Sequence, residues 1–409
     1  MKLTRRAVLQ APAAAALQPR APHILLISGW NLYNIGDVAI TPGFLRLVQQ
    51  HWPEARVTML AASYANEIGA YLRPKFPDLE VIPMEFKSGV ALSPAFEKVF
   101  QSGDLLVLNS GMTLSYGYYG LEWNSYIPRI LAFMKARQLK MPYGVYAHSF
   151  DRVEPHADVL YSDVLSTAAF VYTRDSESLK LIKSKGVRCP EMAFAPDSTF
   201  GFDLRDEERA AQFLNRHSLE PGRYLAFIPR LDANRFREDG KEKEHAAQTR
   251  ELIIRWVRET NTPVALVPEV QKQIETARVL VYDQLPADVR RMVRFQPDYW
   301  MPDEAQAVYA KAELVVSAEM HSVILGLAAG TPSIHPHFSQ AGLKQWMMRD
   351  IGLPYWLHDQ DEVPVDRIFD SMLDVHRDPK VARARVDKAL TLVRRRQMET
   401  MAVLRRSVR

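Results

Sequence analysis

From residue 23 onward the chain alternates short, continuous apolar runs with longer amphipathic stretches, and that alternation limits the folds open to it more than any other feature. HILLIS (23–28) reads as a strand buried on both faces. VTML (57–60), VIPM (81–84), LLVLNS (105–110), YGVYAHS (143–149) and FVYTR (170–174) read as further strands. Helical patterns lie between them, for example over 40–51 and 126–136. Strands that alternate with helices form parallel sheets, because the helical crossovers cover both faces. A second series opens at residue 224, with YLAFIPR (224–230), VALVPE (264–269), MVRF (292–295), ELVVS (313–317), PSIHP (332–336) and a helix over 246–260. A chain of 409 residues is too long for one ordinary core, and two series predict two domains. The expected class is α/β, with two doubly wound domains facing across a cleft and C-terminal helices over 340–357 and 367–409.

Composition sets the boundaries. Residues 1–21 precede the alternation and contain Thr4-Arg5-Arg6-Ala7-Val8-Leu9-Gln10 followed by alanines, which resembles a twin-arginine export signal. An unstructured N-terminal arm is the alternative, and on either reading the stretch lies outside the fold. The N-terminal domain is expected over 22–205, the C-terminal domain over 206–350 and a C-terminal helical segment with a basic tail over 351–409. The polar text from Ala195-Pro196-Asp197 to Gly222 serves as linker. Residues 377–409 carry 11 Lys/Arg against 3 Asp/Glu, so the chain's net charge of +4 leaves a mildly acidic body. Val386, Leu390, Val393, Met401 and Leu404 fall close to helical spacing, which predicts an amphipathic tail helix with a solvated basic face. No DNA- or RNA-reading motif accompanies that face, so no nucleic-acid partner is expected. No apolar run reaches the ~20 residues of a membrane span. The single cysteine, Cys189, rules out an internal disulfide framework and a cysteine-rich zinc site.

In doubly wound sheets ligands bind outside the carboxyl ends of the strands, so the loops after the strands are where chemistry is sought. After the first strand, Asn34, Gly36 and Asp37 suit a turn and a helix cap, and equally a ligand-facing loop with a carboxylate. After the fourth come Asn109-Ser110-Gly111-Met112-Thr113 and an aromatic run, Tyr116, Tyr118, Tyr119, Trp123 and Tyr126, which suits stacking on sugar rings or packing between domains. His148 and Ser149 follow the fifth, and Arg174 ends the sixth, where it can reach an anion. Residues 314–332, LVVSAEMHSVILGLAAGTP, predict a buried strand, a sharp turn with Glu319 and His321, and a helix closed by Gly330-Thr331-Pro332. Unpaired amides and the positive end of the helix dipole attract an anion to such a turn, and His321 stands there. His148, His335 and His337 also follow strands, but show no metal-ligand spacing.

Several of these segments, in this order, resemble the polysaccharide pyruvyl transferases. They are Asn34-Ile35-Gly36-Asp37 with Ala39-Ile40, LLVLNSG (105–111), Thr173-Arg174-Asp175-Ser176-Glu177-Ser178-Leu179 with Gly186-Val187, and Ala195-Pro196-Asp197. They continue with Phe227-Ile228-Pro229-Arg230, His321 with Ala328 and Gly330-Thr331-Pro332, and Lys344 before Ile351-Gly352-Leu353. The resemblance spans about residues 23 to 353 and implies two Rossmann-like domains of the glycosyltransferase-B kind. It implies phosphoenolpyruvate as donor substrate and a cell-envelope glycan as acceptor. A sugar hydroxyl adds to the enol carbon, phosphate leaves, and a second hydroxyl closes a ketal.

That reaction needs a proton donor, cations for phosphate and carboxylate, and a proton acceptor. By resemblance His321 is the acid and Asp37 the base. Arg174, Arg230 and Lys344 bind the donor, and Asn34, Asn109, Tyr118 and Trp123 complete the acceptor site. No metal and no cofactor are implied. Glu319 stands where the family usually has an arginine, and its carboxylate would repel the donor unless a nearby lysine or arginine neutralised it. Two other readings stand beside this one. A sugar-nucleotide glycosyltransferase of the same architecture commonly has a second glutamate eight residues on, where this chain has Leu327. An exported, non-catalytic glycan-binding relative would use the aromatic run.

Overall fold

A computed structural model of the chain describes residues 20–28, 31–61, 64–84, 86–87, 91–92, 94–114, 123–151, 155–231 and 241–408. The twin-arginine-like stretch and most of the aromatic run, Tyr118 included, lie outside them.

Seven parallel strands form the first sheet: β1 (His23–Ser28), β2 (Arg56–Ala61), β3 (Glu80–Pro83), β6 (Leu105–Leu108), β7 (Tyr143–His148), β8 (Phe170–Thr173) and β9 (Met192–Phe194). Two-residue strands β4 (Phe86–Lys87) and β5 (Ala91–Leu92) pair antiparallel outside it. Strand order is 3-2-1-6-7-8-9. Alternate residues of β1 enter different cores, Leu25 and Ile27 on one face and Ile24 and Leu26 on the other. This is why the strand reads as an unbroken apolar run.

The second sheet repeats the plan with six strands in the order 12-11-10-13-14-15. These are β10 (Leu225–Ile228), β11 (Val264–Leu266), β12 (Val293–Phe295), β13 (Leu314–Ser317), β14 (Ser333–His337) and β15 (Leu357–Asp359). Leu225 and Phe227 again part from Ala226 and Ile228, one pair to each face.

The expected architecture is the observed one, with local differences. The helix expected from residue 40 starts at Ile35, and Pro42 sits inside it. The expected linker contains a 3₁₀ turn, Ser198–Gly201, and a helix, Glu207–His217. That helix buries Ala210, Phe213 and Leu214 with Tyr224 and Trp300 in the second core. Residues 340–357 are not one helix. Gly342 and Gly352 adopt φ of 90° and 88°, which interrupt helical geometry, and the segment breaks into short turns before β15. The basic tail is a 29-residue helix, Pro379–Ser407, that returns to the first domain. Its Val386 and Val393 join the second domain's core, while Met401 and Leu404 join the first domain's.

Both sheets reverse strand order at one place, between β1 and β6 in the first and between β10 and β13 in the second. The loops leaving these switch points face each other.

Candidate active site

A cavity of about 410 Å³ lies between the two sets of loops. From the first domain it is lined by Asn31, Asn34, Asp37, Gly111, Thr113 and Arg174, and from the second by Arg230, Glu269, Gln273, Glu319, His321 and Lys344. Each lining group follows the carboxyl end of a parallel strand, as the fold requires.

His321 stands in the first turn of the helix Met320–Ala328 and is 6% exposed. Its Nε2 lies 3.4 Å from Arg174 Nη1 and 3.9 Å from Asp197 Oδ2, and its Nδ1 lies 3.6 Å from Glu269 Oε1. Arg174 is held by Asp197, with Nη1 donating to Oδ2 at 2.7 Å, and Nε donates to Ser149 Oγ at 2.8 Å. Burial alone would raise the Asp197 carboxyl, but Arg174 and His321 outweigh it, so it sits below the usual carboxylate range. The Glu269 carboxyl is also lowered, because His321 and two bonds from Ser322 overcome its burial. Both carboxylates are therefore charged around an imidazole that also faces an arginine.

Asn34 is the N-cap of the helix Ile35–His51, accepting from the amides of Gly36 at 2.8 Å and Asp37 at 3.3 Å, and it lines the cavity as well. Its two sequence readings, cap and site residue, coexist. Asp37 points into the cavity from the same turn. Burial pushes its carboxyl up, with His321, Lys344 and Arg174 opposing and Glu269 adding. Gly36 leaves room for the imidazole, as a Cβ there would stand 2.1 Å from His321 Nδ1.

Glu319 is paired with an arginine: Arg230 Nη1 lies 3.2 Å from its Oε2, while Gln273 Nε2 donates to Oε1 at 2.8 Å. The guanidinium arrives from the end of β10 rather than from the turn before His321. Lys344, 6% exposed, reaches the cavity from a 3₁₀ turn, and no ion pair of its ammonium is found among the described residues.

Asn109 does not line the cavity. Its Nδ2 donates to Ile40 O at 3.1 Å and to Ser28 Oγ at 3.4 Å, tying the first helix to β1 near the Pro42 interruption. Trp123 opens the helix Trp123–Gln138, and its side chain, like Tyr118, is outside the described part. His148 donates from Nδ1 to Asn109 O and accepts the Leu114 amide at Nε2. Burial brings its pKa down to about 3 with Arg174 adding, so it is a neutral structural histidine. Asp197 entered the sequence reading only as part of a short motif. Glu269 and Gln273 had no signal of their own. Among the described residues no group of three or more His, Cys, Asp or Glu could hold a metal, and no helix is long and apolar enough to cross a membrane.

Two doubly wound domains that share a cavity at facing switch points, joined by a returning C-terminal helix, are a glycosyltransferase-B fold. Solved structures agree. The chain is similar to a glycosyltransferase from Rickettsia africae ESF-5, with TM-score 0.62 and 9% identity over 95% of this chain and 99% of that one. It is similar to Anabaena Alr3699/HepE in complex with UDP and glucose, with TM-score 0.58 and 12% identity over 93% and 98%. It is also similar to S. aureus MnaA with UDP, with TM-score 0.57 and 9% identity over 90% and 91%. At such identities the likeness is one of fold alone. The family model for polysaccharide pyruvyl transferase matches residues 34–335, and the chain belongs to that family. A search of the curated proteins gives no match.

Proposed function

We propose that this protein transfers the pyruvyl group of phosphoenolpyruvate to a hydroxyl of a cell-envelope glycan and closes it as a ketal. The observation that carries the reading is Lys344. A nearly buried ammonium with no ion pair among the described residues is costly unless an anion joins it, and it shares its cavity with Arg174 and His321. Phosphoenolpyruvate offers both a phosphate and a carboxylate to such a set, and arginine's planar fork matches either.

Asp37 takes the proton of the attacking hydroxyl, whose oxygen bonds to the enol carbon, while His321 gives a proton to the methylene carbon. The carbon–oxygen bond to phosphate then breaks, phosphate leaves with the bonding pair, and the second hydroxyl bonds to the same carbon as its proton departs. No oxidant or reductant is needed. The ion pair of Arg230 with Glu319 supports the reading by cancelling the charge that would repel the donor.

The test is phosphate release from phosphoenolpyruvate by the purified protein in the presence of envelope glycans. Release that depends on Lys344 and His321 is expected. No release with any acceptor, alongside turnover of a nucleotide sugar, would replace this reading with glycosyl transfer. Glu319→Gln keeps the contact with Gln273 and removes the charge, so tighter phosphoenolpyruvate binding by calorimetry is expected.

A further inference from the structure

Glu269 follows β11 on a loop of the second domain and is 1% exposed. Its Oε2 accepts two bonds from Ser322, the amide at 2.7 Å and the hydroxyl at 2.6 Å. That anchorage leaves Oε1 directed at His321 Nδ1, 3.6 Å away. Contacts of this length in ligand-free sites commonly tighten when substrate binds. The backbone of the same residue joins the domains. Its carbonyl accepts the Ile35 amide at 3.1 Å, Asn34 and Val270 form an antiparallel bridge, and the Gln271 amide donates to Tyr33 O at 3.0 Å. One residue therefore holds the imidazole with its side chain and the first domain's helix start with its main chain.

The charged groups facing His321 are Arg174 and Asp197 beyond Nε2, Asp37 from the first helix, and Glu269 beyond Nδ1, with Glu319 and Lys344 elsewhere on the cavity wall. An arginine N–H at Nε2 favours a lone pair there, and a carboxylate at Nδ1 favours an N–H there, so the two neighbours together put the imidazole proton on Nδ1. We infer that Glu269 is a positioning residue that holds His321 by its Nδ1–H, in the ligand-free protein as the Nδ1–H tautomer, so that Nε2 is the nitrogen that takes up a proton and then gives it to the substrate. Glu269, Ser322 and His321 all belong to the second domain, so the pairing is built within it, and the backbone of the same loop ties it to the first domain's helix start. The inference rests on His321 being the proton donor proposed above.

Glu269→Gln keeps an acceptor for Ser322 but removes the charge and offers an N–H of its own. In the ligand-free protein, ¹⁵N NMR of the His321 ring, assigned by its loss in His321→Gln, should show Nδ1–H in the wild type and a mixture of tautomers in Glu269→Gln. With phosphoenolpyruvate and acceptor, kcat should fall steeply, toward the roughly 10⁴-fold loss that follows removal of the carboxylate that orients a catalytic histidine. The KM for phosphoenolpyruvate should stay within about threefold, and Glu269→Asp should recover part of the rate. If Glu269→Gln does not fold, Ser322→Ala, which only loosens the carboxylate, should give the same spectral change to a smaller degree. An unchanged tautomer in a folded variant, or an effect on KM alone, overturns the inference. The NMR arm uses no substrate, so its failure is distinct from absent phosphate release by the wild type, which would instead overturn pyruvyl transfer.

Discussion

A Cβ on Gly36 would stand 2.1 Å from His321 Nδ1 and 2.3 Å from its Cγ, closer than any real contact. Gly36→Ala must therefore move the imidazole or the start of the helix. Misplacing a catalytic group by an ångström costs on the order of 100-fold in rate, and kcat for phosphate release should fall by about that much while the protein remains folded by circular dichroism. Asp37 supplies a second expectation. Its carboxyl is raised by burial, so it holds its proton to higher pH than an ordinary aspartate near 3.9. As the proposed base it must be ionised, so the acid limb of kcat/KM should lie above the ordinary aspartate range. Asp37→Asn should lose most activity across the profile, and a limb at or below ordinary carboxylate values would argue against Asp37 as base. The sequence made His321 and Arg174 legible because each follows a strand end, where the fold puts ligands, whereas Lys344 was legible only through the family resemblance. It could not show that Asn109 turns away from the cavity, since a polar residue after a strand reads the same in either direction. Glu269 was illegible for another reason, because its meaning comes from Ser322 and His321, more than 50 positions on.

Among elements, most strands were readable, the edge strands β3 and β12 included, but β9 and β15 at the opposite edges were not. β1 and β13 are apolar on both faces, whereas β9 and β15 are three residues each and only partly buried, too little text to separate from loop. The sequence shows the helix after β8 and its cap at Asp175, but not the contact by which that helix clamps the domains. The helix Ser176–Ser184 starts at an Asp175 cap, and its first residue is also gripped from the second domain. Asp350 accepts the Ser176 amide at 2.7 Å and its hydroxyl at 2.9 Å. Arg349 bonds Ser176 Oγ and Glu177 alongside. A carboxylate at a helix N-terminus gains from the dipole as well as from its bonds. Asp350→Ala should cost about 2 kcal/mol and lower the thermal midpoint by a few degrees. Small-angle scattering should show looser domains. An unchanged midpoint and profile would mean that the seam at Glu269 and the C-terminal helix hold the halves without it.

For the whole molecule, the helix Pro379–Ser407 decides whether there are two domains or one structure. It buries Val386 and Val393 in one core and Met401 and Leu404 in the other. Each such side chain is worth ~1.5–3 kcal/mol, and together they rival the ~5–15 kcal/mol by which proteins are stable. A chain ended before Pro379 should be insoluble or melt without a cooperative transition, and a soluble, sharply melting product would show that the helix is dispensable. The helix also reaches the first sheet directly, where Tyr146 and Thr400 share a hydrogen bond across 254 positions of sequence. During synthesis, then, the N-terminal domain leaves the ribosome with a gap in its core, and it must wait for the translation of the entire second domain before that gap can close. Its early exposure makes it the half that a chaperone would be expected to hold.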